Sequence, residues 1–371
     1  MPSPSSLTTR LAFTPQTVKG TYPTTNVQAT RAISLESVPE MEYVENENHM
    51  LGVHERSTAA QSVPERSSTS VPLDFEVGAY PYSMAHLLFG IGMVQGAPVV
   101  ATGVTTHKFV KSTVSDAPYI TSYIRMGTGA GKFSRQIHDC RLSQLVLSLQ
   151  RGQGVQARGV GMGLKETIIA DGGYTVKAEA DTEFMPFLGG MIWDTATAGF
   201  SDFDFGIPRE HTITIDRAIE MDDQLLHTFW RNDNQEMSFA VRGEIRGLEL
   251  SLAFYNELLY GGVGVVTGAS LSAATVLTGL TIEMNTNRPI PSTTTPFKFI
   301  INIPKAEIRI GRFQAQNNQI IRADAAWKMI DDALTPPIRI ELANDIASYP
   351  ISTAGFTAAG GSAWTLPDAT P

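Results

Sequence analysis

Arg141-Leu-Ser-Gln-Leu-Val-Leu-Ser-Leu149 interleaves leucines with serine and glutamine at a strand-like spacing. A period near two predicts a half-buried strand. The residues on either side fit that reading. Cys140 precedes the stretch and is expected to be a buried, inert thiol. Gly154-Val-Gln-Ala-Arg158 follows, as a turn into a second strand. The glycines of Gly159-Val-Gly-Met-Gly163 are then expected to bend that strand or to admit a close backbone neighbour. Arg31–Ser37, Leu73–Val77 and Phe297–Ile303 carry the same signal. Helical spacing or propensity is confined to Pro81–Phe89, Phe254–Tyr260 and Ala325–Ala333. The expected fold is mainly β with a few short helices.

A chain of 371 residues with 42% hydrophobic and 18% charged residues can build one large domain or two. Lys and Arg number 28 against 37 Asp and Glu, a net charge of −9, which opposes tight binding to nucleic acid. The single cysteine excludes an intrachain disulfide. The opening MPSPSSLTTRLAFTPQ has no apolar core, so no secretory signal is expected. Leu258–Ile282 is uncharged and long enough to span a bilayer, but a glycine-rich loop followed by a strand from Ala274 to Met284 accounts for it equally.

Three weak self-matches occur in the same order. Ile33–Glu42 resembles Ile213–Asp222, Phe75–Val77 before Tyr82 resembles Leu248–Leu250 before Tyr255, and Leu142–Val160 resembles Ile308–Ala326. Chance self-similarity of β-rich chains is the alternative. A repeat predicts two tandem β-sandwich or half-barrel domains, each with a short flanking helix, over 28–181 and 199–348. Residues 1–27 and 349–371 are read as arms, and 45–70 as a long polar loop that reaches a partner or lacks order. The junction 182–198 contains Phe184, Phe187, Met191 and Trp193, which call for burial.

Several strings imitate enzyme motifs and fail on context. Gly127-Thr-Gly-Ala-Gly-Lys-Phe-Ser134 resembles a phosphate cradle, but its glycines are misplaced and Phe133 stands where the Mg²⁺-binding hydroxyl belongs. Asp202–Gly206 has no accompanying nucleotide loop, and Gly159–Gly163 lacks the third glycine of a dinucleotide fingerprint. The neighbours Asp222 and Asp223, and Asp331 and Asp332, point to opposite faces if they lie on strands. His49, His54, His86, His107, His138, His211 and His227 show no i, i+4 pairing. The sequence therefore assigns no catalytic, cofactor-binding or metal-binding residue, and no enzyme is expected.

The succession Arg135–Leu149, Gly154–Arg158 and Gly161–Lys165 resembles the core of tail tube proteins of siphophages, whose long tails do not contract. Glu210–Asp216, Glu220–Asp222, Glu244–Leu250, Phe297–Ile303 and Ala306–Ile310 are similar to that family's next domain. The resemblance spans about Gly20 to Ile346. It implies a tandem-domain subtype whose trimeric, pseudo-hexameric rings stack into a hollow tube. The implied partners are other copies of the chain, the tape-measure protein and duplex DNA in the lumen, and terminator and baseplate proteins at the ends, with no membrane. The implied location is the virion tail, and the host cytoplasm during assembly. A baseplate or head-decoration protein is the alternative, and a sugar-binding β-sandwich comes third.

Overall fold

The 141–149 stretch lies in an 18-residue strand, β10 (Phe133–Gln150). The computed structural model describes residues 10–16, 18–25, 27–30, 32–34, 42–49, 62–112, 118–126, 133–150, 152–170, 172–176, 187–194, 209–221, 234–249, 276–314, 322–331 and 336–349. Before β10 come β1 (Arg10–Pro15), β2 (Gln28–Thr30), β3 (Ala32–Ser34), β4 (Glu42–His49) and β5 (Ser62–Gly78). Helix α1 (Met84–Gly90), β6 (Met93–Gln95), β7 (Val99–Ala101), β8 (Val104–Lys111) and β9 (Ile120–Met126) lead into it. After it follow β11 (Gln156–Gly163), β12 (Lys165–Ala170), β13 (Leu188–Asp194), β14 (Glu210–Met221) and β15 (Asn234–Glu249). β16 (Val276–Pro289), β17 (Pro296–Gln314), β18 (Arg322–Met329) and β19 (Arg339–Asn344) complete the described chain. The protein is mainly β.

β10 belongs to two sets of strands. Its first half pairs with β9 and β12, and β9 continues through β1 to β2. Its second half pairs with β11 and β14. The change of partners falls at Asp139, which has φ +49° in the middle of the strand. A non-glycine residue needs support in that region, and Asp tolerates it better than most. Here the Asp139 carboxylate accepts from Gln16 Nε2 (2.9 Å), the Gly20 backbone N–H (2.9 Å) and the Tyr22 hydroxyl (3.1 Å). Around this corner the Tyr22 ring lies 3.8 Å from that of His138, and the buried Arg141 guanidinium sits 3.8 Å above the Tyr119 ring.

From the corner a seven-stranded antiparallel run extends in the order β5–β11–β10–β14–β15–β18–β17. Burial alternates along it as a period of two requires. Leu73, Phe75 and Val77, Leu145, Leu147 and Leu149, Ile213 and Ile215, and Val241 and Ile245 all point into one core. The β11 glycines let that core close. A Cβ at Gly159 would lie 2.5 Å from the Phe75 ring, and one at Gly161 would lie 2.2 Å from the Arg141 carbonyl oxygen. β17 also changes partners along its length. On one edge β16 pairs with it from Pro296 to Ile308; on the other, β19 pairs with residues 298–302 and β18 with residues 306–314, and the register shifts beside Pro304, a residue that cannot donate to a ladder. β19 pairs in turn with β8, so two ladders, β10–β14 and β8–β19, cross between the halves of the chain.

One order of pairing occurs twice. β3 and β4 pair with β5, which pairs with β11 and then β10; β14 pairs with β15, which pairs with β18 and then β17. β11 and β18 lie at a constant offset of 166, from 156 to 322 and from 163 to 329. The offset between β5 and β15 is smaller than the sequence match suggested. Val77 and Leu248 hold equivalent positions opposite Ala157 and Ala323, where the match aligned Val77 with Leu250.

Four expectations need correction. Ala325–Ala333, with good helix formers, is instead entered by strand β18, because Ala325 and Trp327 alternate inward between β15 and β17 and tertiary pairing overrides propensity. The polar stretch 45–70 is not simply a loop. β4 and the first part of β5 form an antiparallel ribbon from Glu42↔Ser70 to His49↔Ser62, while 50–61 lie outside the described residues. The arm 1–27 contains β1, whose Leu11 and Phe13 are in the core. Helix α1 does fall within Pro81–Phe89 as expected up to its last residue, Gly90, yet it does not flank the fold, since all seven of its residues are buried. Phe254–Tyr260 lies outside the described residues. In the junction Phe187 is buried, 5.6 Å from the Phe299 ring, and the following strand β13 pairs with β16.

The corner at Asp139 sets the first prediction. Asp139→Gly keeps the backbone angle but leaves three donors unanswered, a loss of about 1–3 kcal/mol. Asp139→Val adds the steric cost of a left-handed β-branched residue, about 1–2 kcal/mol more. Denaturant unfolding of both variants checks the order. Equal losses would show that the left-handed angle carries no strain.

Candidate functional site

The outward face of the seven-stranded run is the candidate site, and strand register builds it. Glu76, Arg158, Val146, Thr214, Arg242, Lys328 and Glu307 stand directly opposite one another in a single row across all seven strands. Their neighbours along each strand point inward, so the whole row faces away from the core. A shallow depression of about 490 Å³ lies over this row at the β14–β17 end.

Carboxylates answer the cations of this face. Arg158 grips Asp74 through two parallel bonds, Nε to Oδ1 at 3.0 Å and Nη2 to Oδ2 at 2.7 Å. Arg242 Nη2 lies 3.0 Å from Asp216 Oδ2, and the other oxygen of Asp216 accepts from Gln144 Nε2 at 2.7 Å. Glu307 holds two cations, Lys328 Nζ at 2.5 Å on one oxygen and Arg309 Nη2 at 2.6 Å on the other. Hydrogen bonds from Lys328, then Arg309, keep its carboxyl below the usual carboxylate range. The Glu307 side chain is only 7% exposed while Arg309 and Lys328 remain open to solvent, so the acid sits low and the bases cover it.

Beneath the row Trp327 fixes the geometry. Its indole fills the space that a side chain at Gly243 would need, since a Cβ there would lie 2.3 Å from the ring. Its Nε1–H donates to His211 Nε2 at 3.0 Å. Burial pushes the His211 pKa down to about 3, so the ring stays neutral and accepts that bond.

The enzyme-like strings settle elsewhere. Residues 127–132 lie outside the described residues, but Met126 pairs with Phe133, so the segment joins two antiparallel strands, whereas a phosphate cradle opens a helix. Gly159–Gly163 lies within β11 and packs against Phe75 and β10. Cys140 is buried, its thiol donating to the Ile137 carbonyl at 3.3 Å, and burial raises its pKa against thiolate formation. His86 is buried on α1, 5.5 Å from the Tyr349 ring. His107 bridges Gln95 (3.1 Å) and Asn344 (3.0 Å), with its pKa lowered chiefly by burial. His138 meets Thr167 at 2.7 Å, and burial lowers its pKa to about 4. His49 lies on β4. Asp331 is 4.0 Å from Lys111. Asp202–Gly206, Asp222, Asp223, Asp332, His54 and His227 lie outside the described residues. Among the described residues no three potential ligands gather around a metal position, and no helix is long and apolar enough to cross a membrane. No family model matches the chain, and no curated protein is significantly similar to it.

Sequence reasoning did not find the outward face. Its pairs join residues far apart in the chain, such as Asp74 with Arg158 and Gln144 with Asp216, so only register brings them together.

The buried histidines predict an acid-sensitive fold. Unfolded histidine takes up a proton near pH 6.5, whereas folded His211 resists it to about pH 3 and folded His138 to about pH 4. The unfolded state therefore binds more protons in that window, and stability falls as pH drops from about 6.5, by up to ~1.4 kcal/mol per pH unit for each ring. His211→Gln can still accept from Trp327 and does not titrate, so its stability profile should be flatter between pH 6 and 4. An unchanged slope would contradict a neutral, buried His211.

Proposed function

We propose that this chain is a structural subunit that polymerises into the hollow tail tube of a siphophage and carries no enzymatic activity. In this reading the chain holds two tandem β units, three chains close each ring, and the rings stack around a channel for DNA. The observation that carries it is the pairing order that occurs twice within one chain, with the copies joined edge to edge through β10 and β14. An exposed strand edge invites association, and edge-to-edge joining in a closed ring satisfies it. The internal ladder is therefore a pattern that neighbouring chains can extend. The tube location, and the tape-measure, terminator and baseplate partners, belong to the same proposal.

Stacking is assigned to the ribbon of β4 and β5. Ser62–Ser70 of β5 run along β4, all but Ser67 paired with it, before the strand enters the core at Val71, a reach of about 30 Å at ~3.3 Å per residue. Such a ribbon can meet the next ring while the body of the fold stays soluble.

Electron microscopy of the purified full-length chain tests the assignment. Hollow filaments of uniform width are expected, whereas discrete caps or single rings would favour a baseplate or head-decoration component. Deleting His49–Pro64 removes the far end of the ribbon and is expected to leave the thermal transition in place while abolishing filaments. Filaments of ordinary length from that variant would show that stacking lies elsewhere.

A further inference from the structure

We infer that the outer edge of β12 receives a strand from a second copy of this chain, as the outer edge of β19 receives β8 within the chain. The inference rests on the tandem-unit ring proposed above and names a contact that joins one chain to the next. Strand register is where the two edges become comparable. The offset of 166 carries Arg141 opposite Met162 onto Glu307 opposite Lys328, so the second halves of β10 and β17 are equivalent. The same offset holds in their first halves, where β10 lies between β9 and β12, and β17 between β16 and β19. Phe133 opposite Ala170 corresponds to Phe299 opposite Leu342, and Arg135 opposite Ile168 corresponds to Ile301 opposite Ile340. β12 and β19 are therefore counterparts, six residues each.

Their surroundings differ. β8 covers the outer edge of β19 along its whole length, from Arg339 opposite Val110 to Asn344 opposite Thr105. Among the described residues β12 pairs with β10 alone. Burial at equivalent places records the difference. Phe299 and Ile340 are both 0% exposed, whereas Phe133 is 36% and Ile168 71% exposed. An open strand edge with apolar side chains beside it is a template for strand addition.

The strand called for is the counterpart of β8, and a second copy of the chain supplies it. β8 lies in the first half of the chain and pairs with the second, so its counterpart in the second half has no further unit of its own chain to pair with. The sequence there repeats the approach to β8. Leu87-Leu-Phe-Gly90 and Val99-Val-Ala-Thr-Gly103 precede β8, and Leu258-Leu-Tyr-Gly261 and Val265-Val-Thr-Gly268 follow one another in the same order. A heterologous contact of this kind, repeated from chain to chain, closes a ring in which every unit gives a strand to one neighbour and takes one from the other.

Two experiments on the full-length chain test it. In the first, the photocrosslinker p-benzoylphenylalanine replaces the exposed Ile168 in a small fraction of the chains, which are assembled with isotope-labelled parent chains and irradiated. Mass spectrometry should find it joined to a labelled peptide lying between Gly261 and Leu277. A crosslink within one chain, a crosslink to another part of the neighbour, or none in tubes that form normally would overturn the inference and leave the tube standing. Absence of tubes altogether would overturn the tube reading first, and this contact with it. The second experiment is Ile168→Lys, which places a charge on the edge where the free chain is open to water. The thermal transition of the free chain should be unchanged, while the critical concentration for tube assembly should rise about tenfold or more. An unchanged critical concentration would show that the edge stays uncovered in the tube.

Discussion

At Asp139 a left-handed turn carries β10 from one set of strands to another. The first half of the strand holds β9 and β12 while the second holds β11 and β14. The carboxylate that stabilises the turn also anchors the segment after β1 through Gln16, Gly20 and Tyr22. One acidic side chain thus joins the N-terminal region to the strand at which both halves of the chain meet.

From that corner the sheet carries its own logic outward. Inward residues are leucine, isoleucine and phenylalanine, with glycine wherever a neighbour must approach closely, as at Gly161 and Gly243. Outward residues include the charges that pair across strands, Asp74 with Arg158, Asp216 with Arg242 and Glu307 with Lys328. The same period of two produces both faces, so the packing that stabilises the fold also sets the register of the ion pairs. A slip of one residue between β15 and β18 would turn Trp327 outward and separate Lys328 from its place opposite Arg242.

Much of the core was legible in the sequence because its strands bury one face and therefore alternate. Leu73–Val77, Arg141–Leu149 and Phe297–Ile303 all fall within strands. The β4–β5 ribbon was not legible, since its polar sequence has no apolar period to read. β1 was hidden by the Ser, Thr and Pro around it, although Leu11 and Phe13 are core residues. β18 has a helix-like composition because Ala, Trp, Lys and Met tolerate both states, and only its two neighbouring strands decide between them. The charged face could not be read at all, for it exists only once distant strands have paired.

In the proposed tube, two quasi-equivalent units within each chain build the ring. A cryo-electron microscopy reconstruction of the filament, refined without imposed symmetry, decides whether they do. Three chains per ring, with six similar lobes alternating in detail, is the predicted result. Six whole chains per ring, or a filament with no hollow centre, would contradict it.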